Sequence, residues 1–263
     1  MKRVELEQYL KDLYHYDDYD DYCYNGLQIE GSDNVKKIAF AVSFNTLLLE
    51  KAIAINADAI IVHHGIFGKD FFKIHKPFKN IVKEILNRNI SLFGIHLPMD
   101  AQSEIGNNAE LSRMISASVI EKMNVGFLVE NTHKLSLMQI LYAYGKELGT
   151  QNDIHQNEPF TPLHYKNLGG IQYYDFGPDT PYKIGILSGG GSSYIQEALD
   201  SGADTFITGE LKEHIPAILY DSKVNYINLG HYRSEKTGIL SLKKQIEGKF
   251  PVECTFIDVE NPL

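Results

Sequence analysis

Residues 37–64 read KIAFAVSFNTLLLEKAIAINADAIIVHH, and residues 183–210 read KIGILSGGGSSYIQEALDSGADTFITGE. Each stretch is a short apolar run, a polar turn, a helix-length amphipathic segment and a second apolar run, which is the pattern of a βαβ unit. Ala52 answers to Ala198, Ala57 to Ala203 and Asp58 to Asp204 at a constant offset of 146, and Ser43 matches Ser188 with a slip of one residue. A further helix and strand follow each copy. KPFKNIVKEILNRN and ISLFGIH come after the first, KEHIPAILYDSK and VNYINLGH after the second. The shared order of elements points to an internal duplication. Strands alternating with helices predict an α/β fold of two pseudo-repeated βαβ lobes, with mainly parallel sheet covered on both faces.

Working outward, residues 1–111 form the expected first lobe and residues 181–263 the second. Residues 112–180 are expected as a connecting segment packed on the lobes, the whole making one compact domain. Within that segment SASVIEKMNVGFLVE and the Pro-, Gly- and Tyr-rich stretch Glu158–Pro181 read as strands and long turns. SLMQILYAYGKELG reads as a helix with Ser136 as N-cap and Gly149 as its stop. The acidic, Tyr-rich run Tyr14–Tyr24 reads as a solvated or interface loop after the first helix.

With 263 residues the chain can bury a sizeable core. Lys and Arg number 25 against 34 Asp and Glu, and a net charge of -9 argues against a protein that lives on nucleic-acid phosphates. Two cysteines, Cys23 and Cys254, cannot make a disulfide framework or a thiolate zinc site alone. No apolar run approaches about 18 residues, so no membrane span is expected. The N-terminal MKRVELEQYLKDLYHYDD lacks the apolar core of a signal peptide, which points to a soluble cytoplasmic protein.

Ligand chemistry in α/β folds gathers beyond the carboxyl ends of strands. There the sequence places His63-His64-Gly65, then His96 with Asp100 four residues on, then Gly209-Glu210, and finally His231 with Glu235. Adjacent histidines on a regular strand point to opposite faces, but at a strand's end the backbone turns and both rings can reach one cleft. His231 and Glu235 have the four-residue spacing of one helical face. Three His and two carboxylates, His63, His64, Asp100, His231 and Glu235, match the N/O ligand mix of Zn, Mn, Fe or Co. Five ligands exceed the need of one open catalytic ion, and two metals sharing a bridging carboxylate would explain the surplus. His96 and His214 are candidate proton movers, and Glu210 is a candidate orienting group behind the ligands. Gly189, Gly190, Gly191 and Ser192 follow a strand and open a helix, where backbone N–H groups can hold an anion or a substrate oxygen. That run lacks the Lys of a P-loop and the spacing of GxGxxG. Cys23 has no evident activating neighbour in sequence, and no GxSxG elbow is present.

The chain resembles the GTP cyclohydrolase 1 type 2 family, also called Nif-three-like. The resemblance rests on Asn25-Gly26-Leu27-Gln28-Ile29-Glu30-Gly31, on Val62-His63-His64-Gly65, and on His96-Leu97-Pro98-Met99-Asp100-Ala101 with Gly106-Asn107-Asn108. It continues in Ser188-Gly189-Gly190-Gly191, in Ala203–Glu210 and in Gly230-His231-Tyr232-Arg233-Ser234-Glu235. It covers nearly the whole chain and matches the short bacterial form without an inserted central domain. It implies a Nif-three-like fold, a dinuclear metal site, and a toroidal homohexamer whose sites face an internal cavity. The family's ligand motifs fall on His63, His64, Asp100, His231 and Glu235, with Asp100 and Glu235 as metal bridges. One departure is Gly68, where short members often carry an aromatic residue.

The family name implies opening of the guanine ring of GTP with release of formate. For a triphosphate only Lys69, Lys212 and Arg233 are near the motifs. The sequence therefore reads as a hydrolase using two divalent ions (Zn, Mn, Fe, Co, Ni or Mg) on a small nucleotide-like or phosphorylated substrate. The alternative is a non-enzymatic metal-binding or storage protein, or a hexameric scaffold. Neither nucleic acid nor membrane is an expected partner.

Overall fold

The computed structural model describes residues 1–69, 73–149, 163–259 and 261. Residues 158–162 of the Glu158–Pro181 stretch lie outside these. In chain order the elements begin with α1 (Arg3–Tyr14), β1 (Gly26–Ile29), β2 (Lys37–Ser43), α2 (Thr46–Ala54), β3 (Ala59–His64), α3 (Phe78–Asn87), β4 (Ser91–Gly94) and α4 (Leu97–Ala101). Then come α5 (Asn107–Met114), β5 (Ser118–Met123), β6 (Gly126–Glu130), α6 (Leu137–Leu148), β7 (Lys166–Leu168) and β8 (Ile171–Asp175). The last are β9 (Lys183–Leu187), α7 (Ile195–Asp200), β10 (Thr205–Thr208), α8 (Ile215–Ser222), β11 (Asn225–Asn228), α9 (His231–Lys249) and β12 (Glu253–Phe256). No helix among the described residues is long and apolar enough to cross a membrane.

The chain divides into two compact units. The first holds Met1–Gly106 and Gly238–Asn261, and the second holds Asn107–Thr237, so the division falls within α9. The sheet of the first unit has the order β1-β4-β3-β2-β12, with β4, β3, β2 and β12 mutually parallel and β1 antiparallel at the edge. Ile38 to Val42 of β2 are all buried, as a parallel strand covered on both faces requires. Leu48, Leu49 and Ala52 of α2, with Ile85 of α3, close one face over Ile60, Val62 and Leu92.

The second unit has a seven-stranded sheet of order β5-β6-β9-β10-β11-β8-β7. Its centre, β9-β10-β11, is the parallel βαβαβ core read from the sequence. Antiparallel strands flank that core on both sides, β6 and β5 on one, β8 and β7 on the other. Residues 112–180 supply those flanking strands together with α6. Ile140, Leu141 and Tyr144 of α6 pack on Ile184, Ile186, Ile207 and Ile227. The α6 ends are as the sequence reads. Ser136 Oγ accepts from Gln139 N at 3.3 Å, Gln139 Oε1 accepts from Ser136 N at 2.8 Å, and Gly149 closes the helix at φ +71°.

The offset of 146 is written in hydrogen bonds. Asp58 Oδ2 accepts from Lys36 N and Lys37 N at 2.8 and 3.0 Å, and Asp204 Oδ2 accepts from Tyr182 N and Lys183 N at 2.8 and 3.3 Å. Ala57 N donates to Ala52 O and Ala203 N to Ala198 O, both at 3.0 Å. Each aspartate ties the start of one strand to the turn that launches the next.

The run Tyr14–Tyr24 is largely exposed, in keeping with a solvated or interface loop, with two buried residues in it. Tyr14 is the buried last residue of α1, and Asp21 is buried as well. A carboxylate can be buried when donors satisfy it, and Asp21 gathers four: Cys23 N, Asn25 Nδ2, His96 Nδ1 and Leu97 N, all within 3.0 Å.

Candidate functional site

In the first unit the candidate residues gather at the end of β3. His63 and His64 close β3, and their ring centroids lie 4.5 Å apart. His63 is fully buried, and its Nδ1–H donates to the Ile95 carbonyl at 2.9 Å. A carbonyl only accepts, so Nδ1 carries the proton and the lone pair of the neutral ring sits on Nε2. That Nε2 faces Asp100 Oδ2 at 3.6 Å, and Asp100 is also buried, on the short helix α4. This spacing is too long for a hydrogen bond. It is close to the roughly 3.4 Å that separates two ligand atoms bound at about 2.1 Å to one tetrahedral ion. His64 Nδ1 lies 2.9 Å from Ser43 Oγ, its register partner on β2. His96 completes a triangle of rings, 5.1 Å from His63 and 5.5 Å from His64, and one nitrogen from each of the three lies within 4.8 Å of the others.

The loops around these rings are clamped by the Asn25–Gly31 motif. Asn25 Oδ1 accepts from His96 N at 2.7 Å. Gln28 Oε1 accepts from Ile66 N at 2.8 Å, and Gln28 Nε2 donates to Tyr24 O at 2.7 Å. Gly65 follows His64 because a Cβ there would lie 2.3 Å from that Gln28 amide. Asp21 fixes His96 through Nδ1 at 2.9 Å. Burial alone would raise the Asp21 carboxyl, but the bonds from His96 and Asn25 hold it down to about 2. For His96 burial opposes the charge, and the bonds to Asp21 and Cys23 overcome it, pushing the imidazole up to about 10.

In the second unit the ligand candidates sit on the first turn of α9. His231 Nε2 lies 3.0 Å from Glu235 Oε1 on the same helical face, and His231 Nδ1 lies 2.7 Å from Glu210 Oε1. Glu235 is buried. The Glu235 carboxylate, against the opposing effect of burial and with help from Glu210, lifts His231 to about 9. The glycine turn after β9 makes room for this pair. Gly189 stands at φ +60°, and a Cβ on it would lie 2.0 Å from Glu235 Oε1 and 3.3 Å from His231 Nε2. Gly189 N donates to Ser234 Oγ at 2.9 Å, and Thr208 Oγ1 donates to Gly189 O at 3.3 Å.

In His63 and His231 alike, Nδ1 is held by a protein oxygen while Nε2 faces a buried carboxylate. Imidazoles that coordinate metals are held in this way. The donor types present in each unit, imidazole nitrogen and carboxylate oxygen, fit Zn, Mn, Fe or Co.

A family profile described as Duf34/NIF3 (NGG1p interacting factor 3) matches residues 1–262. The chain belongs to the DUF34/NIF3 family. A Yersinia pestis protein named GTP cyclohydrolase 1 type 2 homolog is 34% identical over 265 residues, covering 100% of both chains. Among solved structures, one titled protein ybgI, unknown function, matches with a TM-score of 0.88 at 31% identity over 100% of both chains. The protein TTHA1606 of Thermus thermophilus matches with a TM-score of 0.87 at 27% identity, again over 100% of both. The α/β architecture is thus that of the DUF34/NIF3 fold.

The remaining sequence candidates fall in different places. His214 precedes α8 and is exposed, outside the ring triangle. Glu210 Oε1 lies 2.7 Å from His231 Nδ1. Gly190 and Gly191 pack beside Glu210 and Thr208, and Ser192 is fully buried. Lys69 pairs with Asp20, Lys212 Nζ donates to Ser193 Oγ at 2.5 Å, and Arg233 Nη1 donates to Gly170 O at 3.4 Å. Gly68 has a local cause in this DUF34/NIF3 member, since a Cβ there would lie 2.7 Å from Tyr22 O. Sequence reasoning missed Asp21 and took Ser43 only as a repeat marker. The one signal for Asp21 was its place four residues before Asn25 of the motif.

Proposed function

We propose that this DUF34/NIF3 member is a cytoplasmic, divalent-metal-dependent hydrolase of a small nucleotide-like or phosphorylated substrate, assembled as a homohexamer. Its ligands are His63, His64 and Asp100 in one unit and His231 and Glu235 in the other, with two ions per chain. The observation that carries this reading is the His63–Asp100 pair: a buried imidazole nitrogen and a buried carboxylate oxygen face each other at 3.6 Å, close to the spacing of two ligands of one ion. Divalent ions so held supply Lewis-acid polarisation and acidify water at neutral pH.

The chain's own groups do the rest. Asp21 fixes the His96 ring, so His96 exchanges a proton with substrate from a set orientation. His214, exposed ahead of α8, is the second proton carrier to test. Glu210 holds His231 by its Nδ1. Gly189, Gly190, Gly191 and Ser192 position a substrate oxygen only when cations are bound, because Glu210 and Glu235 beside them repel a bare anion. Opening of the guanine ring of GTP is one specific form of this chemistry.

The test is metal content by plasma mass spectrometry on protein purified without chelator, with native mass read on the same samples. Wild type should carry about two ions per chain, as hydrolytic pairs do. His63→Ala and Glu235→Ala should each lose metal while the oligomer persists. Wild type that stays metal-free after reloading with Zn or Mn would overturn the reading. Metal without turnover in a screen of nucleotides, phosphoesters and amides would leave a storage or scaffold protein.

A further inference from the structure

Asp21 and Cys23 of the loop between α1 and β1, with His96 of the turn after β4, make a second donor cluster, which shares none of the five ligands proposed above and includes the proposed proton mover His96. Asp21, Cys23 and His96 each place one donor atom within 4.8 Å of the other two. Asp21 is buried, while Cys23 and His96 are partly exposed, so the cluster is fixed at its base and partly open to solvent. The Cys23 backbone is pinned twice. Its N–H donates to Asp21 Oδ1 at 3.0 Å, and it forms an antiparallel bridge with Gly68, where only a glycine leaves space for the Tyr22 carbonyl. Asp21 Oδ1 and His96 Nδ1 stand 2.9 Å apart.

We propose that Asp21, Cys23 and His96 form a binding site for one thiophilic divalent ion, such as zinc or cobalt. The three donor atoms lie within 4.8 Å of one another, and the oxygen and the nitrogen, 2.9 Å apart across a hydrogen bond, need open only to about 3.4 Å to share one tetrahedral ion. The ion takes the place of the proton that the pair shares. Binding is balanced by release of that proton and of the thiol proton, and the ligands are then a carboxylate, a neutral imidazole and a thiolate. Asp21 Oδ2 keeps its bonds from Asn25 Nδ2 and Leu97 N, so the carboxylate stays oriented while Oδ1 changes partner. The sulfur sets this site apart from the N/O groups of the proposed hydrolytic centre and biases it toward softer ions.

The experiment is a cobalt titration of the full-length, reduced protein, followed by thiolate-to-cobalt charge-transfer absorption and by bound cobalt per chain. Wild type and Cys254→Ser should show the band. Cys23→Ser, which keeps the backbone bond to Asp21 and the bridge opposite Gly68, should lose it together with about one ion per chain. His96→Ala should weaken the band-forming site at least tenfold. His63→Ala should keep the band, which separates this proposal from the hydrolase reading. A band that survives Cys23→Ser, an affinity unchanged in His96→Ala, or a wild type saturated with cobalt and without the band would each overturn it.

Discussion

β2 of the first unit and β9 of the second are the same strand in the duplicated plan, and their carboxyl ends serve the ligands in opposite ways. At the end of β2 the chain offers a side chain, as Ser43 Oγ meets His64 Nδ1 at 2.9 Å. After β9 it withholds one, as Gly189 leaves the space that Glu235 Oε1 fills. The ligands differ to match. The first unit puts His63 and His64 on the end of β3 itself, where a neighbouring strand can reach a ring. The second ends β10 in Thr208-Gly209-Glu210, and its ligands come one element later, on the first turn of α9. Glu235 of α9 reaches the turn that follows β9, and that turn makes room for it by being glycine. A common scaffold therefore does not impose a common way of holding a ligand.

The largest effect should come from filling the space that sets the second unit apart. Gly189→Ala puts a methyl 2.0 Å from Glu235 Oε1, at φ +60° where L residues are strained. The His231–Glu235 pair must move, so metal affinity should fall at least tenfold. Stability of the metal-free protein should drop by about 1–3 kcal/mol in urea unfolding. Gly190→Ala is the control, because its φ is -74° and its Cβ would meet Glu210 Oε2 at an ordinary 3.5 Å. Equal behaviour of the two variants would mean that the glycine turn is only a tight connection.

Gly189 also shows where reading the sequence stops. The βαβ plan was legible because apolar runs and helix-length stretches recur at one offset, and periodicity reports burial directly. The five ligand candidates were legible because they cluster after strands. The spatial logic of the glycine turn was not, since nothing local to Ser188–Gly191 says that Glu235 stands opposite. Asp21 was hidden for a related reason. Among neighbouring acids such as Asp17, Asp18 and Asp20 it has no distinguishing pattern, and its burial depends on donors from Asn25, His96 and Leu97. The outer strands β5 to β8 read as strands, but which sheet they join is set by pairing partners that are far off in sequence.

A smaller effect compares the groups behind the two ligand histidines. Glu210→Gln removes a carboxylate 2.7 Å from His231 Nδ1, and Ser43→Ala removes a hydroxyl 2.9 Å from His64 Nδ1. Each should weaken metal binding by about 10–100-fold in calorimetric titration, as loss of an orienting partner does. Glu210→Gln should be the larger, because a charged acceptor makes the stronger bond. If Ser43→Ala were the more damaging, hydroxyl support at the strand end would outweigh carboxylate support at the helix, and the contrast between the units would have to be redrawn.

The smallest effect tests what the two units share. Asp58→Ala and Asp204→Ala each deprive two backbone N–H groups of their acceptor at the start of a strand. The bonds of Lys36 and Tyr182 are exposed, where water can substitute, and those of Lys37 and Lys183 are part-buried, so each loss should be about 1 kcal/mol. Global unfolding of a two-unit chain mixes both transitions, so the local reading is better taken from amide exchange at Lys37 and Lys183, with metal removed so that ligand binding does not mask it. Protection should fall about fivefold at Lys37 in the first variant and at Lys183 in the second, by the conversion of about 1 kcal/mol. Lys37 should lose slightly more, since its bond to Asp58 is 3.0 Å and that of Lys183 to Asp204 is 3.3 Å. Matched losses would mean that the duplicated aspartate still carries the same strand-starting role in both copies. A loss confined to one unit would mean that the hydrogen bonds persist in position at the offset of 146 while their energetic role has been taken over, in the other unit, by the flanking antiparallel strands.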